Sequence, residues 1–132
     1  MIALDTNALV RLLIEDDVHQ AAIVQGFVTQ AAAQSESILL IPEVLIETVW
    51  VLESVYHCQR QEIVGFLNLL VSTAAFTFPE PLMIRHTIAQ YQKGGDFADL
   101  LNVAQAKRQR ARKLISFDNS LQRRFPGYVV GQ

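Results

Sequence analysis

Cysteine is almost missing from this sequence. Cys58 is the only one, so no internal disulfide can form. A structural zinc site would have to be assembled from His19, His57 and His86, which lie far apart and form no ligand pattern. Glycine and proline are scarce too, at six and four, and no stretch is dominated by Pro, Gly and Ser, which argues against a linker or a disordered tail. Long apolar runs are absent. Ile38 to Ile46 is interrupted by Pro42 and Glu43, and Val64 to Ala75 is too short to span a bilayer. The opening Met-Ile-Ala-Leu-Asp carries neither a basic leader nor a cleavage site, so a cytoplasmic protein without membrane contact is expected. Several catalytic signatures are lacking as well. Gly94-Gly95 has no downstream Gly-Lys-Ser/Thr, no Gly-x-Gly-x-x-Gly follows the first strand, and no Ser, His and acid occur in the context of a hydrolase elbow.

What is present is a chain of 132 residues, 51% hydrophobic, which is enough for one domain with a continuous core, taken as residues 1–132. Net charge is only −2, but its distribution is uneven. Before Gln59 there are eight acids against Arg11 alone, and from Lys107 onward there are seven bases against Asp118 alone. Lys107, Arg108, Arg110, Arg112 and Lys113 are therefore candidates for docking a polyanion such as RNA, against the plainer reading of a solvated helix face.

Apolar periodicity predicts strands at Ile2 to Leu4, Ile38 to Ile41, Ala75 to Phe78, Leu114 to Phe117 and Tyr128 to Val130. Between them, helices are expected at Ala8 to Leu13, Val18 to Ala33, Pro42 to Tyr56, Arg60 to Val71, Glu80 to Gln92 and from Asp96 to Arg110, with a short segment at Leu121 to Phe125. Strands that alternate with helices and are apolar on both faces imply an α/β fold of three layers, α/β/α, with a mostly parallel five-stranded sheet.

Ligands of open parallel sheets bind beyond the carboxyl ends of the strands. Asp5 directly follows the first strand and Asp118 the fourth, while Glu43 and Glu47 share a face of the helix after the second. Asp96 and Asp99 share the first turn of the helix before the fourth strand. Capping and the helix dipole account for Asp96, Asp99 and Glu43. They do not account for Glu47, set among Ile46, Val49 and Trp50, or for Asp5, at the end of a strand expected to be central. Clustered carboxylates repel unless a cation lies among them, and oxygen-only donors suit Mg²⁺ or Mn²⁺ better than zinc. Phosphodiester hydrolysis is the reaction that uses such an ion fully.

With these motifs in hand, the sequence resembles the PIN-domain nucleases, specifically the VapC-like toxins of type II toxin-antitoxin pairs. The resemblance rests on Leu4-Asp5-Thr6-Asn7, on Glu47 in the apolar run Ile46 to Leu52, on Asp96-Phe97-Ala98-Asp99, and on Ser116-Phe117-Asp118-Asn119, and it covers essentially the whole chain. It implies a divalent-metal-dependent endoribonuclease with Asp5, Glu47, Asp99 and Asp118 as catalytic and metal-binding acids. Asp96, Thr6, Asn7 and Ser116 would support them, and Glu43 would be a capping or rim residue. It also implies a homodimer and a cognate antitoxin protein. One departure concerns the loop after the last aspartate, where the family usually has an aromatic residue and this chain has Leu121, with Phe125 later. The competing reading is a noncatalytic RNA-binding or protein-interaction module of the same fold, against which the four acids speak. A DNA or flap-type nuclease would need threading elements for which this chain has no room.

Overall fold

The computed structural model describes residues 1–131. Its elements alternate: β1 (Ile2–Ala3), α1 (Thr6–Leu13), α2 (Val18–Ala33), β2 (Ile38–Leu39), α3 (Pro42–Ser54), α4 (Arg60–Ser72), β3 (Phe76–Thr77), α5 (Pro81–Lys93), α6 (Phe97–Arg108), β4 (Leu114–Ile115), α7 (Asn119–Arg124) and β5 (Val129–Val130). Every strand pairing is parallel, and helices flank the strands in an α/β/α arrangement. The ladders divide into a three-stranded sheet ordered β1-β2-β3 and a two-stranded sheet of β4 and β5, where a single five-stranded sheet was expected. β2 is thus the central strand of its sheet and β1 an edge, which corrects the expectation for the strand that ends at Asp5.

The two sheets have separate apolar support. Ile38 and Leu40 are fully buried, together with Leu9 of α1, Leu45, Val49 and Leu52 of α3, Ile63 and Leu67 of α4, and Phe97 of α6. A smaller cluster of Val103, Leu121 and Val129 holds the two-stranded sheet, and Phe125 packs against both clusters. Leu121 therefore takes the place of the expected aromatic as a core residue, and Phe125 joins the two parts.

Local chemistry explains where the helices begin. Pro42 occupies the first turn of α3, where its missing N–H costs nothing. The side chains of Asp5, Asp17, Asp96 and Asp118 cap α1, α2, α6 and α7 by accepting backbone N–H bonds. α6 stops at Arg108, two residues short of the expected end, and Arg110 already has a left-handed backbone (φ 64°). The buried stripe of α2 runs through Ala21 and Ala31 rather than Ala32, and Phe27 stays exposed.

Candidate active site

The acids lie in two groups, Asp5 with Glu43 and Glu47 around one pocket, and Asp99 within the influence of Asp96 and Asp118. The pocket of the first group, of about 290 Å³, is lined by Asp5, Thr6, Asn7, Glu43, Val44 and Glu47. Thr6 donates its hydroxyl to Glu47 Oε2 at 2.9 Å, which ties the first turn of α1 to α3. Asp5 Oδ1 accepts the Ala8 N–H at 2.9 Å. Capping thus explains Asp5, contrary to the sequence reading. Glu47 is corrected too. With Glu43 and Trp50 it forms the exposed face of α3, opposite the buried Leu45, Thr48, Val49 and Leu52, so its carboxylate meets solvent rather than the core.

The second group is Asp96, Asp99 and Asp118. Asp96 Oδ2 accepts the Asp99 N–H at 3.1 Å, and Asp118 Oδ1 accepts the Leu121 N–H at 2.9 Å. The Ser116 hydroxyl oxygen in turn accepts the Asp118 N–H at 3.1 Å, which fixes the start of α7. Asp99 is the partly buried member of the group. Burial raises its carboxyl pKa, and the charges of Asp96 and then Asp118 raise it further. Both aspartates therefore lie near enough to act on Asp99. The sequence reading assigned Asp99 to the helix dipole, yet it is the acid whose ionisation the fold opposes.

A second cavity, of about 230 Å³, has both Glu47 and Asp96 in its lining. A network behind it fixes the entry to α6. Arg60 donates to the carbonyls of Tyr91 and Gly95 at 2.8 Å each, and its guanidinium lies 4.4 Å from the centre of the Tyr91 ring. Tyr91 donates its hydroxyl to Glu53 Oε2 at 2.7 Å. Burial raises the tyrosine pKa, and the bond to Glu53 and its charge add to this, while Arg60 acts in the opposite direction.

The PIN domain family model matches residues 2–126. The chain belongs to the PIN domain family. It is similar to a VapC ribonuclease of Aquifex aeolicus (strain VF5), with 27% identity over 115 residues that cover 86% of this chain and 84% of the relative. No solved structure matches it.

In this PIN domain, no group of three or more His, Cys, Asp and Glu side chains among the described residues is close enough to hold a metal ion. The donor chemistry nonetheless fits a hard cation: every candidate is a carboxylate or hydroxyl oxygen, and Mg²⁺ is commonly held by one or two carboxylates with water completing its shell. Burial first, and then the charges of Asp96 and Asp118, disfavour the ionised form of Asp99, and a cation beside it would offset this.

The basic segment is less available than its composition suggests. Lys107 Nζ lies over the rings of Phe125 and Tyr128, Arg108 pairs with Glu80 at 2.8 Å, and Lys113 donates to the Gly127 carbonyl. Arg110 and Arg112 are exposed in the turn that follows α6. A different cation packs on the turn before α6. The Arg124 guanidinium covers Gly94 and Gly95, just before Asp96, so closely that a Cβ on Gly94 would sit 2.5 Å from Nη2. None of the ion pairs among the described residues involves Arg124. The Gly94-Gly95 pair, where both residues have positive φ, was the sequence signal for this turn, but its contact with Arg124 of a later helix was not visible there. Among the described residues no helix is long and apolar enough to cross a membrane.

Proposed function

We propose that this PIN-domain chain is an endoribonuclease dependent on Mg²⁺ or Mn²⁺, the toxin of a toxin-antitoxin pair, acting in the cytoplasm. What supports this reading is that Glu47 lines one cavity with Asp5 and a second with Asp96, whose charge and that of Asp118 act on Asp99. Similarity to a VapC ribonuclease supports the choice of RNA, and the motif resemblance suggests a cognate antitoxin and a second copy of the chain as proposed partners.

Asp5, Asp99, Asp118 and Glu47 are the residues that would hold the cation. A bound divalent ion supplies Lewis-acid polarisation of the phosphate and a more acidic water. Asp5 and Asp118 each spend one carboxylate oxygen on a helix cap, which locks the rotamer and leaves the other oxygen for the crevice. Thr6 holds Glu47 through Oε2, so Glu47 Oε1 remains to accept a proton from the attacking water. As the water oxygen bonds to phosphorus, the bond to the leaving oxygen breaks and that oxygen takes a proton from solvent, while Glu47 returns its own proton to solvent afterwards. Asn7 and Ser116 are supports, Ser116 through the backbone of Asp118. Arg124, Arg110 and Arg112 attract the phosphate backbone.

Cleavage of a panel of tRNA, rRNA and single-stranded DNA, with and without Mg²⁺ or Mn²⁺, by protein freed of any copurified partner tests the proposal. Metal-dependent cuts in RNA are expected; intact RNA under all conditions, alongside tight RNA binding, would favour the noncatalytic module.

A further inference from the structure

Trp50 is the only tryptophan in the chain and remains 61% exposed, although core positions of α3 lie beside it. It follows Glu47 on the same outward face of the helix. Its indole borders the 230 Å³ cavity together with Val49 and Phe97, while Glu47, Glu53 and Asp96 supply the polar wall. We propose that this cavity is a nucleobase subsite, in which a base of single-stranded RNA stacks on Trp50 and is read by Glu53; this rests on the ribonuclease reading of the neighbouring carboxylates.

Size, charge and continuity select that occupant. The cavity is smaller than the range typical of drug-sized ligands, and so suits one flat ring system rather than a whole nucleotide. Its acidic wall repels phosphate but accepts N–H groups, which bases present along their Watson–Crick edges. Tyr91 holds Glu53 through Oε2, leaving Oε1 to accept from a base. Guanine, with adjacent ring N–H and amino donors, matches a carboxylate best. Because Glu47 lines both cavities, a base seated here places its own backbone phosphate toward the acids, as a substrate needs. An exposed indole is the stacking platform that single-stranded nucleic acid binding uses.

The sole tryptophan is its own reporter. Short single-stranded RNAs, intact or abasic at single positions, are titrated into the protein while indole fluorescence and the anisotropy of a label on the RNA are followed together. Intact RNA should quench Trp50, and loss of one base should abolish the quench and weaken binding. Trp50→Phe should keep most of the affinity, whereas Trp50→Ala should lose roughly ten-fold, read in cleavage as a higher KM with little change in kcat. Guanine at the sensitive position should bind more tightly than uracil, and Glu53→Gln should remove that preference. RNA that is bound and cut without quenching Trp50 overturns the subsite and leaves the ribonuclease reading intact. RNA that quenches but is never cut keeps the subsite and removes the ribonuclease. A Trp50→Ala protein that sediments as a smaller species while binding RNA normally assigns the indole to a second copy of the chain, and the subsite falls.

Discussion

The Thr6 hydroxyl and the Glu47 carboxylate are bonded across 2.9 Å, and through them the start of α1 is fastened to the middle of α3. The bond lies at the surface, so its net worth to stability is small, but it fixes which oxygen of Glu47 is spent and which is free. Glu47→Gln keeps an acceptor for Thr6 and removes only the charge. At an exposed position its folding stability should stay within about 0.5 kcal/mol of wild type. Turnover should nonetheless fall by about 10²-fold or more if the carboxylate acts on the transition state. A melting curve without metal and a single-turnover RNA cleavage rate with Mn²⁺ decide the matter. Thr6→Val should reproduce part of the catalytic loss with Glu47 still present, and Thr6→Ser should restore it.

Asp5 carries two duties that substitution can separate. As the cap of α1 it accepts the Ala8 N–H, and Asp5→Ala should cost about 1 kcal/mol of folding stability. Asn caps almost as well as Asp, so Asp5→Asn should fold normally yet bind Mn²⁺ weakly and cut RNA slowly. Calorimetry with Mn²⁺ on both proteins checks this. Equal Mn²⁺ binding by wild type and Asp5→Asn would leave Asp5 as a cap and nothing more.

The order of elements was legible in the sequence because buried strands and amphipathic helices differ in apolar period, and because Asp96 announces the start of α6. The placement of Asp5, Asp96, Asp99 and Asp118 at strand ends and helix starts was legible for the same reason, since it is a local property. Their individual environments were not. Whether Glu47 faces core or water depends on the rotation of α3, and a helix with apolar residues on most of its faces does not declare it. The burial of Asp99 comes from α6 packing, and its repulsion by Asp118 from a strand and a helix that follow it in the chain. The split into two sheets escaped notice because period and polarity say which segments are strands but not which neighbours complete a ladder. Arg124 was missed because its meeting with Gly94 and Gly95 is purely tertiary.

Asp99 makes a pH prediction whose sign is fixed by its raised carboxyl pKa, caused first by burial and then by Asp96 and Asp118. A group less acidic in the fold than in the unfolded chain favours folding fully below its unfolded pKa, and that contribution is lost as pH rises through the folded value. Ionised Asp99 thus opposes folding of the metal-free protein near neutrality. Asp99→Asn should melt higher than wild type at pH 7 without metal, and the gap should close as both are taken below about pH 4, where carboxylates are largely neutral. Added Mn²⁺ should reverse the order at pH 7, since the wild type alone gains the missing counter-charge. Thermal melts over that range, with and without Mn²⁺, provide the check. A lower melting point for Asp99→Asn at every pH would mean that its carboxylate is a structural partner.

Arg124 and the segment from Lys107 to Lys113 should differ in what they give to RNA. Lys107 is engaged with two rings, Arg108 with Glu80 and Lys113 with a carbonyl, so their charges are partly committed to the fold. Arg110 and Arg112 project from the turn after α6, while Arg124 lies over the glycines that precede Asp96 in the chain. Phosphate contacts release counterions, so each one lost should reduce the log-log salt slope of RNA binding by roughly one. Arg124→Ala should show that reduction and also lower the cleavage rate, because the contact would lie next to the scissile phosphate. Replacing Arg110 and Arg112 together by Ala should lower affinity and slope with the single-turnover rate at saturating RNA unchanged. Gly94→Ala separates position from charge: a Cβ there must displace the guanidinium and adopt a positive φ, so it should weaken RNA cleavage with Arg124 still in the chain. Filter binding across a salt series and single-turnover cleavage on the three proteins read both quantities. If Arg124→Ala leaves slope and rate at wild-type values, its guanidinium serves only to pack the Gly94-Gly95 turn, and the solvated turn after α6 becomes the main electrostatic contact.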